Sequence, residues 1–179
     1  RPQDDSSHVI AVDHQACILC DRCIRACNEV QHNLVMGRTG KGHSTRIGFD
    51  FDQPMGESSC VSCGECVAAC PTGALTEKSF DLFAPPKELE AVDSVCPYCG
   101  VGCAIRYQTD RAANRIQYAE GRESPGSGGR LCVKGRYGFD YTMHPERLTT
   151  PLIRIDYPKH ALSTEVRSSD RRRRKPGGL

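Results

Sequence analysis

With 179 residues, 26% of them charged, 38% hydrophobic and only 6% aromatic, the chain has room for one ordinary domain or two small ones and too few aromatics for a large side-chain core. A formal net charge of +2 gives no general nucleic-acid footprint, and no apolar run approaches the roughly 18 residues that would span a membrane. Twelve cysteines are left to be explained, and they are clustered rather than scattered.

Val9-Ile10-Ala11-Val12 is a short apolar run that reads as a strand. Cys17, Cys20, Cys23 and Cys27 follow at C-x2-C-x2-C-x3-C spacing, and Cys23 to Val30 reads as a short helix. The same spacing returns 43 residues later as Cys60, Cys63, Cys66 and Cys70, now closed by Pro71. A helix is expected from Cys66 to Cys70, stopped by Pro71 and Gly73, with Ala74-Leu75-Thr76 as a strand.

The second run resembles the bacterial ferredoxin pattern, in which three close thiolates hold one [4Fe-4S] cube and the fourth Cys ligates another. By that rule Cys17, Cys20, Cys23 and Cys70 hold a first cluster, and Cys60, Cys63, Cys66 and Cys27 a second. Structural zinc is the alternative, but it favours two CxxC pairs across a loop, whereas here three thiols fall within seven residues, twice. Asn28 stands where the second run has Pro71; proline shapes the turn and supplies no donor atom, so ligation is untouched. With so small an apolar core, metal coordination is expected to supply much of the folding free energy, and the apoprotein to be largely unfolded.

Between the runs lies an insertion, residues 28–59. Leu34-Val35-Met36 and Arg46 to Phe51 read as two strands joined by the glycine-rich Gly37 to Gly42. That turn is no phosphate loop: His43 stands where the lysine is needed, and no strand-to-helix step follows. Residues 79–93, with Pro85-Pro86, read as a linker with one helical turn.

Beyond it come Cys96, Cys99, Cys103 and, much later, Cys132. Between the last two, Ala104 to Gln108 and Arg115 to Ala119 alternate as a β-hairpin, and Gly100 and Gly102 would let the backbone approach a bulky cofactor. Four cysteines so spaced leave zinc open as well as an iron–sulfur cluster. Their neighbours narrow the choice. Cys-Pro-Tyr-Cys-Gly-Val-Gly-Cys (96–103), Gly129 to Arg136 and His144 to Leu152 together resemble the N-terminal [4Fe-4S] domain of molybdopterin bis-guanine-dinucleotide oxidoreductases over residues 94–154.

That resemblance implies an α+β chain: a dicluster 2[4Fe-4S] ferredoxin-like module (1–78), the linker 79–93, a small, mainly β [4Fe-4S] domain (94–154) and a basic linker (155–179). A third cluster is then held by Cys96, Cys99, Cys103 and Cys132. The whole is similar to the front of the catalytic α subunit of NAD-linked formate dehydrogenases. What the likeness implies is a relay from formate oxidation at a Mo/W bis-pterin cofactor, through three clusters, to a flavin- and NAD-reducing partner subunit. All twelve cysteines are consumed, so no catalytic residue is expected in this stretch, and the Mo/W site is expected past Leu179, near Lys134 in space. In the resembling family a lysine two places after the fourth cysteine stands between cluster and pterin, which assigns Lys134 an electron-relay role.

The six histidines read as surface or turn residues, because every quartet is already complete. Asp21, Arg22, Arg25 and Glu65 lie among the ligands and read as solvated loop charges. A chain that opens at Arg1 without Met reads as an internal piece of something longer, and its thiolates suit a reducing compartment, the cytoplasm. Two other readings stand beside the first: the large iron–sulfur subunit of an NADH:quinone oxidoreductase or a hydrogenase, and a free-standing polyferredoxin carrier.

Overall fold

The computed structural model describes residues 3–78 and 85–152. The basic run 155–179 with His160, and residues 79–84 of the expected linker, lie outside the described residues. Residues 1–145 form one compact unit; residues 146–152, described as part of a second, carry no helix or strand.

The first half is built on a repeat closed by its ends. Strand β1 (Ile10–Val12) pairs antiparallel with β4 (Leu75–Glu77), Ile10 opposite Glu77 and Val12 opposite Leu75. This puts the strand entering the first cysteine loop beside the strand leaving the second, so Cys17 and Cys70 stand at the same end of one ribbon. Helix α1 (Arg22–Arg25) runs on as a π-helical turn (Ala26–Val30), and α2 (Glu65–Ala69) is its counterpart in the second repeat. Each is too short to stand on propensity alone and is held by what it buries.

The insertion forms a hairpin of β2 (Met36–Thr39) and β3 (Arg46–Phe49), Met36 opposite Phe49. The expected first strand starts two residues later than the apolar run suggested and takes in Gly37, Arg38 and Thr39. Pairing explains the shift: the ladder runs from Met36 opposite Phe49, through Gly37 opposite Gly48 and Arg38 opposite Ile47, to Thr39 opposite Arg46, so backbone bonds rather than apolar side chains set the strand's bounds. Ile10, Val12, Val35, Met36, Ile47, Phe49, Met55 and Leu75 make the core, with the thiols of Cys23, Cys27 and Cys66 embedded in it. Burying each of the largest, Phe49, Ile10 and Met55, stabilises by about 1.5–3 kcal/mol. Thiols and hydrophobic packing therefore share one small core.

The second half is a three-stranded antiparallel sheet, β5 (Glu90–Val95), β6 (Ala104–Asp110) and β7 (Arg115–Gly121), in the order β5-β6-β7. The hairpin β6–β7 falls where alternation placed it, with a register shift at Gln108/Thr109. Strand β5 is a departure, since its first four residues lie in the stretch read as linker. Every residue of it is exposed, so no apolar face betrays it; backbone pairing to β6 holds it, together with Asp93 ion pairs to Arg106 and Arg122 and a Glu90–Arg111 pair. Helix α3 (Val133–Tyr137) starts at Cys132 and packs on β7, and Ile105, Ala119, Leu131 and Phe139 close a second core. Among the described residues no helix is long and apolar enough to cross a membrane.

Candidate metal centres

The two cysteine loops are copies in backbone conformation, not only in spacing. Leu19 (φ 55) and Asp21 (φ 59) are left-handed in the first; Ser62 (φ 54) and Gly64 (φ 75), each 43 residues on, are left-handed in the second. In both, the left-handed residue turns an amide onto the thiol two places back: Leu19 N–H donates to Cys17 Sγ and Ser62 N–H to Cys60 Sγ, each at 3.4 Å. A loop that wraps amides around sulfur suits thiolates bound to a cluster, whose negative charge needs such donors.

The thiols gather across the two repeats. Cys17, Cys20, Cys23 and Cys70 line one cavity with Val12, Ile18 and Leu75. A second is lined by Cys27, Cys60, Cys63 and Cys66 with Val35, Met36 and Met55. Both walls are almost wholly apolar apart from sulfur. Four sulfurs around a volume, rather than side chains converging on a point, is the donor set a [4Fe-4S] cube needs. The two groups are close enough that Cys23 of the first adds to the rise at Cys66, as Cys60, Cys63 and Cys27 of its own group do.

Electrostatics sets Cys70 apart from Cys23, Cys60, Cys63 and Cys66. Burial pushes Cys23 up to about 11, with Cys17 and Cys70 adding to the rise. Burial likewise raises Cys60, Cys63 and Cys66, and in Cys63 the Glu65 amide and the Arg136 guanidinium pull part of the way back. Cys70 moves the other way: burial opposes its ionisation, but the amides of Thr72, Leu75 and Ala74 and the Thr72 hydroxyl outweigh it and hold the thiol below its ordinary value. Gly73 (φ 71) is left-handed in the turn that carries those amides.

The third group is more open. Cys96 is buried, Cys103 half-buried, and Cys99 and Cys132 are exposed. Cys96 N–H donates to the Cys103 carbonyl at 2.9 Å, folding their loop back on itself, and Gly102 (φ 59) turns it. Gly100 faces open space, so its backbone is under no such demand. A Cβ at Gly135, three residues past Cys132, would stand 3.5 Å from Cys96 Sγ. The chain thus brings Cys96, Cys103 and the start of α3 to one end of the sheet. Lys134 is exposed on α3.

Residues that spacing did not single out join the modules. Arg136, on α3 and only 5% exposed, donates from Nε to the Cys63 carbonyl (2.8 Å) and from Nη2 to Glu65 Oε2 (2.7 Å). Glu65 is therefore a half-buried ion-pair partner, not the solvated loop charge expected; Arg22 and Arg25 are exposed as expected. Asp21 is held by Arg38 of the insertion, 2.9 Å from Nε and 2.8 Å from Nη2, and Arg38 also reaches the Leu19 carbonyl at 3.0 Å. Gln31 and Arg130 add bonds to the carbonyls of Leu131 and Val30. Among the described histidines, His8, His32, His43 and His144 are exposed, and His14 lies half-buried on the wall of the first cavity.

Residues 16–74 match the 4Fe-4S dicluster domain, and residues 89–144 the molybdopterin oxidoreductase Fe4S4 domain. Among curated proteins the chain is 34% identical over 146 residues to the NADPH-Fe(3+) oxidoreductase subunit alpha of Geobacter sulfurreducens, covering 82% of this chain and 17% of that protein. It is 35% identical over 156 residues to an NADH-quinone oxidoreductase subunit of Rhizobium meliloti (84% and 17%). With a putative formate dehydrogenase of Staphylococcus haemolyticus it shares 30% over 187 residues (83% and 19%). The chain thus spans less than a fifth of the length of these relatives.

Proposed function

We propose, because the chain is an iron–sulfur electron-transfer segment of the molybdopterin oxidoreductase family, that it is the front of a cytoplasmic NAD-linked formate dehydrogenase subunit, relaying electrons from formate oxidation towards a flavin- and NAD-reducing partner. When bound, three [4Fe-4S] clusters would supply one-electron storage, and a Mo/W bis-pterin outside this sequence the oxidation of formate. The observation that carries the reading is the order of parts: a dicluster domain joined to an Fe4S4 domain whose fourth cysteine, Cys132, is followed two places on by Lys134.

Each ligand set has a defined task in this reading. Cys17, Cys20, Cys23 and Cys70 would hold the first cluster, Cys27, Cys60, Cys63 and Cys66 the second, and Cys96, Cys99, Cys103 and Cys132 the third. Apolar walls around the first two groups keep water from the sulfurs, and the amides of Leu19, Ser62 and Thr72 offset charge there. Cys63 and Cys132 line a common crevice, which supports the second cluster as the third's neighbour in the path. Lys134 would offer its ammonium to the pterin side of Cys132. With every cysteine assigned, none remains to bind molybdenum or tungsten within these residues.

A second reading is favoured by the Rhizobium meliloti relative: the large iron–sulfur subunit of an NADH:quinone oxidoreductase. The discriminating experiment is molybdenum and tungsten analysis of the full-length protein, with formate added anaerobically to the oxidised form. About one Mo or W per chain and formate-dependent reduction of the iron–sulfur signals support the first reading; absence of both moves the protein to the second. In the same preparation Lys134→Ala is expected to retain every cluster while slowing their reduction by formate at least tenfold, and an unchanged rate would remove Lys134 from the relay.

A further inference from the structure

We infer that Arg136, with its neighbour Tyr137, sets the reduction potential of the cluster on the Cys60–Cys63–Cys66 loop, so that one module tunes the cofactor of the other. The inference rests on the assignment of that cluster to Cys27, Cys60, Cys63 and Cys66. Arg136 and Tyr137 belong to α3, which starts at Cys132 in the sheet module, yet both reach the loop of the dicluster module. The Arg136 guanidinium is buried and bound to the carbonyl of Cys63 itself. It is a positive charge hydrogen-bonded directly to the loop, and its own counter-charge, Glu65, is the residue just before Cys66.

The packing is built for this approach. Gly64 lies under the pair, and a Cβ there would overlap Tyr137 Oη and Arg136 Cδ. The Tyr137 hydroxyl is itself buried with no hydrogen-bond partner among the described groups, beside a loop whose cofactor would present sulfur. An orphaned buried hydroxyl is costly unless something accepts from it. Glu77 is also within reach of the guanidinium field, half-buried on β4. Arg136 is thus bonded to Glu65 and to the loop itself, and its charge makes an added electron on that loop less unfavourable.

Sign separates this role from mere clamping. Arg136→Gln removes the cation and leaves Glu65 uncompensated, so the reduced form loses stability; Glu65→Gln removes the anion and leaves the cation, so the reduced form gains. The test is an EPR-monitored redox titration of the holoprotein, following the step that changes in Cys63→Ser. Arg136→Gln is expected to lower the ratio of reduced to oxidised cluster at fixed potential about tenfold, about 59 mV for a one-electron couple. Glu65→Gln should shift the same step upward, Arg136→Lys less than Arg136→Gln, and Tyr137→Phe slightly downward. If Arg136→Gln loses the cluster outright, Glu65→Gln decides: an upward shift supports the inference. An unmoved or downward step in Glu65→Gln, with the cluster present, overturns it. Fewer than about eight irons in the unaltered protein would instead overturn the cluster assignment beneath it.

Discussion

The two cysteine loops share spacing, backbone conformation and amide-to-sulfur bonds, yet an arginine holds each from a different place. Arg38 reaches the first from the insertion hairpin, binding the Leu19 carbonyl and the Asp21 carboxylate; its side chain is 49% exposed and Asp21's 37%. Arg136 reaches the second from another module, binding the Cys63 carbonyl and the Glu65 carboxylate, with exposures of 5% and 22%. The hydrogen bonds are alike in kind, but the surroundings differ. Water screens the first clamp and leaves it replaceable, whereas the second is enclosed, so losing one partner strands a buried charge. The repeat made two similar loops; what was packed on them afterwards made them unequal.

The largest expected effect tests whether the loops exchange ligands. Cys70→Ser, although next to the second loop in sequence, should damage the cluster on Cys17, Cys20 and Cys23, seen by iron analysis and by which EPR signal is lost. Loss of the other signal would break the swapped arrangement.

Next comes the inequality of the clamps. Arg136→Ala should destabilise the holoprotein by about 3–5 kcal/mol in denaturant titration, the usual cost of stranding one partner of a buried pair. Arg38→Ala should leave the midpoint almost unmoved, because both partners are already half in water. Equal effects would mean that the clamps are equivalent after all.

A smaller contrast lies one residue away. Gly64→Ala meets both a left-handed backbone and the side chains above it, and should cost about 1–3 kcal/mol with loosened contact between the modules. At the matching position Asp21→Gly relieves the same backbone and should change stability little. Hydrogen exchange at the α3 amides checks both variants. Smallest of all, Thr72→Val removes one hydroxyl near Cys70 and should shift the first loop's cluster slightly to lower potential, by less than Arg136→Gln shifts the second.

What the sequence made legible follows the range of each interaction. Thiol spacing is local, so Cys17 to Cys27 and Cys60 to Cys70 could be grouped by counting, and the partners Cys27 and Cys70 by the rule for such runs. Strands β6 and β7 alternate and were readable for the same reason. Leu19, Asp21 and Ser62 are left-handed without being glycine, so nothing in their identity announced the turn. Strand β5 has no apolar face to show, since ion pairs and backbone bonds keep it in place. Arg136 meets Cys63 across 73 residues, and no short-range pattern encodes that meeting. Its one trace in the sequence is Gly64, a residue small enough to lie beneath it, at the place where the first repeat carries Asp21.

Whether three clusters fill the twelve thiols is decided by iron, acid-labile sulfide and zinc analysis of anaerobically purified protein, joined to EPR after dithionite reduction. About twelve iron and twelve sulfide per chain, with negligible zinc, is the predicted result and matches three [4Fe-4S] clusters on twelve cysteines. About eight iron with one zinc would contradict it, making the Cys96 to Cys132 group a structural site and ending the electron path at the dicluster module.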